Sequence, residues 1–194
     1  MKFRKPKDSI LIVTEGQETE RNYCNQFRLH QRIGNLEIRG GFSTPIHLVR
    51  ETQRILLKYP EYTRAYCLFD RDEHPSFDGA LQLIDKHNKQ GGIRINPIIS
   101  NPCFELWFLL HYQFSTNPFQ QGEKAWKAIV KKIPAPYFQK YEKKAHGVFR
   151  ELHDKTEVAI KHAKQLAKHQ QHNPRKSPFT HMHQLVREVF LREP

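Results

Sequence analysis

The chain has 194 residues, of which 38% are hydrophobic and 27% charged, and its formal net charge is +12. This length suits one domain with a substantial core, and the composition excludes an intrinsically disordered protein. The longest apolar runs are interrupted by charge or stop well short of the roughly 20 residues that cross a bilayer. The basic N-terminus leads into only ILIV, which is too short for a signal peptide. We therefore expect a cytoplasmic protein without a membrane partner.

The first half of the chain alternates short β-branched runs with segments of helical periodicity. This alternation predicts βαβ units and a mostly parallel sheet. We predict four strands, with the sequences SILIVT, LEIRG, RAYCLF and IRINPIIS. We also predict three helices: one over residues 17–33, one that begins at Thr44-Pro45, and one over residues 77–89. SILIVT is apolar throughout, so both of its faces should be buried. Pro97 in the fourth strand predicts a sheet edge or a bulge.

After Pro102 the pattern changes to helices alone, over residues 103–111, 123–133, 138–152, 156–171 and 180–190, with no further strand. We therefore predict an α/β core over residues 1–112. A basic helical extension over residues 113–194 should pack on this core, as one compact unit.

Basic residues are concentrated in this second half. Residues 120–170 contain twelve Lys and Arg against five Asp and Glu, whereas residues 70–119 contain four against six. Such an excess favours a nucleic-acid partner, with Lys143 and Lys144, followed by Lys140, as phosphate contacts. The aromatic residues among these bases are candidates for stacking on unpaired nucleobases: Trp126, Tyr137, Phe138, Tyr141 and Phe149. Amphipathic helices with ordinary solvated faces are the alternative.

Two acidic clusters follow predicted strands. Glu15 comes directly after the first strand, and Asp70 and Asp72 follow the third. If these strands are neighbours, the carboxylates converge at the carboxyl edge of the sheet, where α/β proteins bind ligands. Residues two apart on an extended segment point to the same side, so both aspartates can share one hard cation such as Mg²⁺. Carboxylates packed together would otherwise repel one another.

Each cluster also has a purely structural interpretation. Thr14 and Gln17 fit a capping box, with Glu15 complementing a helix dipole. The segment from Asp70 can equally be a solvated loop between strand and helix. The occurrence of both clusters at strand ends in one basic protein favours a site.

The motif NPCFELWFLLHY presents an apolar helical face at spacing i, i+3, i+4 and i+7, which predicts a buried helix; the positions are Phe104, Trp107, Phe108 and His111. Glu105 should point away from that face and be free to act.

The motifs ILIVTEGQETERNY and LFDRDEH together resemble the Toprim domain, with a Glu-Gly after the first strand and a DxD after the third. With SNPCFELWFLLHY, the Tyr141-Glu142-Lys143 stretch and SPFTHMHQLV, the chain resembles the RloB-like family, also met in AbiL-type abortive-infection proteins. The resemblance implies a Toprim-like fold with Glu15, Asp70 and Asp72 as catalytic acids. The two aspartates would be Mg²⁺ ligands and Glu15 a ligand or general acid/base. Further acids for a second metal would be Glu105, Glu18 and Glu20.

The function implied is a Mg²⁺- or Mn²⁺-dependent nuclease that cleaves DNA or RNA as an effector of bacterial anti-phage defence. The resemblance also implies an RloA-like ATPase partner encoded nearby. One alternative is a Toprim module that binds nucleic acid or nucleotide without cutting. A second is nucleotidyl transfer as in primases, although no Walker-type phosphate loop is present. The choice of nucleic acid, the trigger, the number of metals and the formation of a homo-oligomer stay open.

Overall fold

A computed structural model of the chain describes residues 8–71, 74–119, 122, 124–172 and 178–192. These residues form one sheet from five strands: β1 (Ser9–Thr14), β2 (Leu36–Gly40), β3 (Tyr62–Asp70), β4 (Ile95–Asn101) and β5 (Phe179–Thr180). The strand order is β2-β1-β3-β4-β5. The first four strands are parallel and β5 is antiparallel. The predicted α/β class and mostly parallel sheet are therefore confirmed.

The predicted number of four strands is wrong, because β5 adds a fifth after the last predicted strand. Thr180 pairs with Ser100, and Phe179 pairs with Asn101. Thr180 was expected to begin a helix. A strand of two residues shows no alternation, so its pairing depends on the neighbouring strand rather than on a sequence pattern.

The helices of the described chain are α1 (Thr19–His30), α2 (Pro45–Lys58), α3 (Phe77–Lys89), α4 (Glu105–Leu110), α5 (Ala125–Val130), α6 (Val148–Leu152), α7 (Thr156–His172) and α8 (Met182–Leu185). Shorter turns are 3₁₀ at Pro136–Lys140 and His153–Lys155, and a π-helical segment follows α8 at Val186–Leu191. The bounds of α3 agree with the prediction, and α2 begins where Thr44 accepts a hydrogen bond from His47 N at 3.3 Å.

The continuous helix predicted over residues 138–152 is wrong. The chain leaves the 3₁₀ turn at Tyr141, whose backbone is extended, and becomes helical again only at Val148. The Tyr141 side chain forms hydrogen bonds with Thr19 and Glu105. Tertiary contacts thus replace a second turn of helix in this segment.

The sheet is buried on both faces. Ile10 and Ile12 of β1 belong to a core shared with α1 and α4–α8, whereas Leu11 and Val13 pack against α2 and α3. This alternation confirms the prediction that β1 is covered on both sides. Pro97 pairs with Cys67 of β3, while β5 reaches only Ser100 and Asn101, so β4 is an edge at Pro97 as predicted.

Within the described residues, we find no helix with the length and apolar character that crossing a membrane requires.

Candidate active site

The parallel strands bring several acids to one edge of the sheet. β1 and β3 are neighbours, with Thr14 opposite Leu68. The Glu15 amide extends the hydrogen bonds between these strands by one residue, because it donates to Leu68 O at 2.9 Å. Asp70 ends β3 and lies opposite Ser100 of β4. Glu105 begins α4, four residues after β4 ends. The expected adjacency of the first and third strands is therefore present.

A small pocket of about 130 Å³ lies at this edge, lined by Gly16, Gln17, Glu18, Thr19, Glu20, Asp70, Glu105 and Lys143. Glu20 is 8% exposed and Glu105 is 2% exposed, whereas Asp70 is partly buried. Glu20 lies in the first turn of α1 and Lys143 in the loop before α6. Four separate segments of the chain thus contribute charges to one pocket.

The carboxylates of this pocket destabilise one another in the charged form. Burial, reinforced by repulsion from Glu105, raises the pKa of Glu20 to about 7. Burial also raises the pKa of Asp70 well above its usual range, and the charges of Glu20, Glu105 and Glu15 act in the same direction. Burial, reinforced by the neighbouring carboxylates, therefore disfavours the ionised forms of Glu20 and Asp70.

Lys143 provides positive charge within the pocket. Burial tends to lower the pKa of its ammonium, but Glu105, Glu20 and Asp70 outweigh that effect and raise it overall. The side chain remains exposed on its other side. One exposed ammonium thus faces three carboxylates.

Hydrogen bonds anchor the segment that carries Lys143. The Thr19 hydroxyl donates to the Lys143 carbonyl at 3.3 Å and lies 3.2 Å from the Tyr141 hydroxyl. The Tyr141 hydroxyl donates to Glu105 Oε1 at 3.3 Å. Thr19 was not among the residues predicted for the site, and a threonine at the first position of a helix carries no signal that would identify it.

Gly16 makes room for the Glu20 carboxylate. A Cβ atom at residue 16 would lie 2.0 Å from Glu20 Oε2, which is closer than any real contact. Gly40 of β2 is required in the same way, because its Cβ would lie 2.7 Å from the Gly16 carbonyl. The glycine of the Glu-Gly motif therefore allows the carboxylate to pack against the backbone of the loop.

The structure brings together only some of the predicted site residues. Glu18 lines the pocket with the acids described above. Glu15 is partly buried and acts on Asp70 through its charge. Asp72 lies outside the described residues. Lys144 is exposed in the cleft next to the pocket, whereas Lys140 is exposed but lines neither cavity.

One structural interpretation of the sequence is wrong. The capping box fails because α1 begins at Thr19, and the Thr14 hydroxyl donates instead to the Gly16 carbonyl at 2.8 Å. Glu105 lines the pocket, where it is buried and accepts a hydrogen bond from Tyr141. The aromatic face of α4 is buried as predicted.

A family model described as RloB-like protein matches residues 10–189. The chain belongs to the RloB-like family. The match extends from β1 to the π-helical segment, so it includes every segment that lines the pocket. No curated protein and no solved structure matches the chain. The Toprim resemblance stays a prediction.

The donors in the pocket of this RloB-like protein suit a hard divalent cation. Its lining includes carboxylate oxygens, the ligands that such ions prefer, and a bound cation would favour their ionised forms against the effect of burial. Among the described residues, no three His, Cys, Asp or Glu side chains are arranged to hold one metal. Mg²⁺ commonly uses one or two protein carboxylates and takes its other ligands from water and phosphate. Two of the pocket carboxylates would be enough protein ligands for such an ion.

A second cleft, of about 270 Å³, lies at the opposite end of the strands, between Asp8, Asn35, Arg64 and Arg192. Its charges compensate one another, because Asp8 forms an ion pair with Arg64 that lowers the pKa of the Asp8 carboxyl. The acidic pocket is the better candidate for chemistry, since its charges are not balanced in this way.

Proposed function

We propose that this RloB-like protein is a Mg²⁺- or Mn²⁺-dependent nuclease that hydrolyses phosphodiester bonds of DNA or RNA with a Toprim-like set of acids. The observation that carries the proposal is the pocket in which Glu20, Asp70 and Glu105 face Lys143 at the carboxyl edge of the sheet. The nucleic acid would approach this pocket from the adjoining surface that carries Lys143 and Lys144.

Each charged group has a place in this chemistry. Asp70 and Glu105 would hold the cation, with Asp72 as the further ligand expected from the sequence. When bound, the cation would polarise the phosphate. Glu20, with a pKa raised to about 7, is suited to take a proton from the attacking water, because acid–base groups act best near the working pH. Lys143 would stabilise the charge that develops on the phosphate.

The proposed biological role is that of an effector in bacterial anti-phage defence, together with an RloA-like ATPase. Membership of the RloB-like family supports this assignment. The partner would supply activation, so the purified chain should be assayed both alone and with the ATPase encoded beside it.

Substitution of Asp70 tests the proposal directly. We expect Asp70→Asn to lower Mg²⁺- or Mn²⁺-dependent cleavage at least 100-fold, because it removes a carboxylate that would hold the cation. The protein should still fold, since the asparagine has nearly the same size. Asp85→Asn is the matched control, since Asp85 lies on α3 in an exposed ion pair with Lys89. Equal cleavage by Asp70→Asn and wild type, or no cleavage by wild type with and without the ATPase, would refute the nuclease.

A non-cleaving module that binds nucleic acid or nucleotide is the second candidate. It is favoured by the ammonium of Lys143, which already faces the acids, and by the lack of a three-ligand group among the described residues. For this candidate, Asp70→Asn leaves defence intact, whereas the Lys143→Met, Lys144→Met double variant abolishes it. The nuclease predicts loss of defence with Asp70→Asn while binding persists.

A further inference from the structure

A wider cleft of about 610 Å³ adjoins the acidic pocket, lined by Trp126, Lys127, Tyr141, Glu142, Lys143 and Lys144. Its volume falls within the roughly 300–1,000 Å³ of small-molecule sites. Lys143 and its neighbouring backbone form the boundary, because Lys143 lines both cavities. A molecule in the wide cleft therefore lies next to the carboxylates.

The structure separates Trp126 from the other aromatic residues of the basic half. Phe138, Tyr141 and Phe149 are 7% exposed or less, so they are core residues and the expectation that they stack on bases is wrong. Tyr137 and Trp126 are both partly buried, but the Tyr137 hydroxyl accepts a hydrogen bond from the Gly147 amide at 3.1 Å, and Tyr137 does not line the cleft. Trp126 does line it.

The Trp126 ring packs against a buried aromatic residue, Tyr141. Tyr141 packs against it edge to face, with ring centroids 5.8 Å apart and planes at 75°. The Tyr141 hydroxyl in turn donates a hydrogen bond to Glu105 and lies beside the Thr19 hydroxyl. The indole thus has a defined orientation relative to the carboxylates, which lowers the entropic cost of stacking a ligand on it.

Two ammonium groups lie near the indole, with Lys127 Nζ 5.5 Å and Lys143 Nζ 5.8 Å from its centroid. An ammonium at an exposed ring contributes less than a stacked nucleobase does. A base can therefore displace a lysine, whose long side chain then remains within reach of the flanking phosphate. The lining contains three lysines, Lys127, Lys143 and Lys144, and one acid, Glu142, so its net charge is +2.

We propose that the cleft binds one unpaired nucleotide, whose base stacks on Trp126 while Lys143 draws its phosphate toward Glu20, Asp70 and Glu105. This inference rests on the proposed function and specifies its substrate as single-stranded nucleic acid. A paired base cannot expose its face to the indole without leaving the duplex. Stacking also tolerates any base, so we expect little sequence preference from this contact.

Tryptophan fluorescence provides the test. The chain has two tryptophans. Trp107 is fully buried and donates to the Tyr23 hydroxyl at 2.9 Å, so stacking can quench only Trp126. The full chain is titrated in EDTA, where no cation-dependent cleavage occurs, with single-stranded RNA, single-stranded DNA and duplexes of the same sequence. We expect at least one single strand to quench the emission and to bind at least ten-fold tighter than its duplex.

Variants of the indole complete the test, with binding followed on fluorescein-labelled strands. We expect Trp126→Leu to weaken single-strand binding about 5- to 100-fold and Trp126→Phe to retain most of it. Phe114→Ala is the matched control, because Phe114 is an exposed aromatic residue outside the cleft. Thermal melting confirms that each variant folds.

The outcomes distinguish this inference from the nuclease. Absence of quenching by either single strand, or unchanged affinity in a folded Trp126→Leu variant, overturns the stacking site even if Mn²⁺-dependent cleavage is found. Quenching by a single strand without any cleavage supports the stacking site and overturns the hydrolysis. The RNA and DNA titrations show which nucleic acid the cleft prefers.

Discussion

The residues around Glu20 determine the pKa of its carboxyl group. It lies in the first turn of α1, where a helix dipole favours negative charge. Its pKa is nevertheless raised to about 7, because burial and the repulsion of Glu105 exceed the effects of its own backbone amide and of Lys143. Desolvation and repulsion within the pocket thus prevail over the dipole.

This raised pKa predicts a pH-dependent stability. The folded protein binds a proton at Glu20 that the unfolded chain releases above about pH 4.5, so the free energy of unfolding falls as the pH rises from there to about 7. The contribution lost is up to about 3 kcal/mol. We expect Glu20→Gln to reduce the fall in stability between pH 5 and pH 8, measured by urea denaturation.

Glu61→Gln is the control for this experiment, because Glu61 is exposed in the loop before β3. In this control, the free energy of unfolding should fall with rising pH as steeply as in the wild type. An identical slope in Glu20→Gln would contradict the assigned pKa. Asp70 faces the same pocket and burial also raises its pKa, so part of the slope should remain in the variant.

At the scale of elements, the loop between the 3₁₀ turn and α6 connects the acids to the basic cleft. Its Tyr141 contacts Glu105 of α4 and Thr19 of α1, and its Lys143 lines both cavities. At its far end, the Gly147 amide donates to the Tyr137 hydroxyl. The loop is therefore attached at both ends, and its Tyr141 end touches the acids.

The two ends of this loop predict different effects on activity. We expect Tyr141→Phe to destabilise the protein by about 1 kcal/mol, because the Glu105 carboxylate loses a buried hydrogen bond. Cleavage should fall further than this loss of stability explains, since Lys143 is less well positioned. Tyr137→Phe is the comparison, with a similar loss of stability but near-normal kcat/KM. Equal effects of both variants on kcat/KM would show that Tyr141 only stabilises the fold.

At the scale of the whole molecule, the sheet and the C-terminal helices share one core, in which Ile10 of β1 and Val189 of the final segment belong to the same cluster. The pocket joins β3, α1, α4 and the loop before α6. A ligand that bridges these segments binds only the folded chain. Such a ligand therefore stabilises the entire fold by mass action.

We expect Mg²⁺ or Mn²⁺ to raise the melting temperature of the wild type, by an amount equivalent to about 2.7 kcal/mol at a hundred times Kd. The increase should be larger at pH 8 than at pH 6, because the cation competes with protons for carboxylates such as Glu20, whose pKa is about 7. Asp70→Asn should lose the increase and Asp85→Asn should keep it. An unchanged melting temperature of the wild type in both cations would argue against a cation site.

The sequence alone determined much of the α/β core, because local signals agree there with the tertiary structure. The SILIVT strand, the Thr44-Pro45 helix start and α3 all lie as predicted. Glu15 and Asp70 could be assigned to one edge of the sheet, since the carboxyl ends of neighbouring parallel strands meet there. These inferences needed only periodicity, turn chemistry and strand order.

Only the tertiary structure decided which side chains surround the acids. Glu20 enters the pocket because Gly16 leaves space for its carboxylate. Tyr141 turns away from a helix because Thr19 and Glu105 bind its hydroxyl. Of the five aromatic residues predicted to stack on bases, Trp126 is singled out because it lines the cleft without being fully buried. Each of these outcomes depends on contacts between residues distant in the chain, which no local pattern encodes.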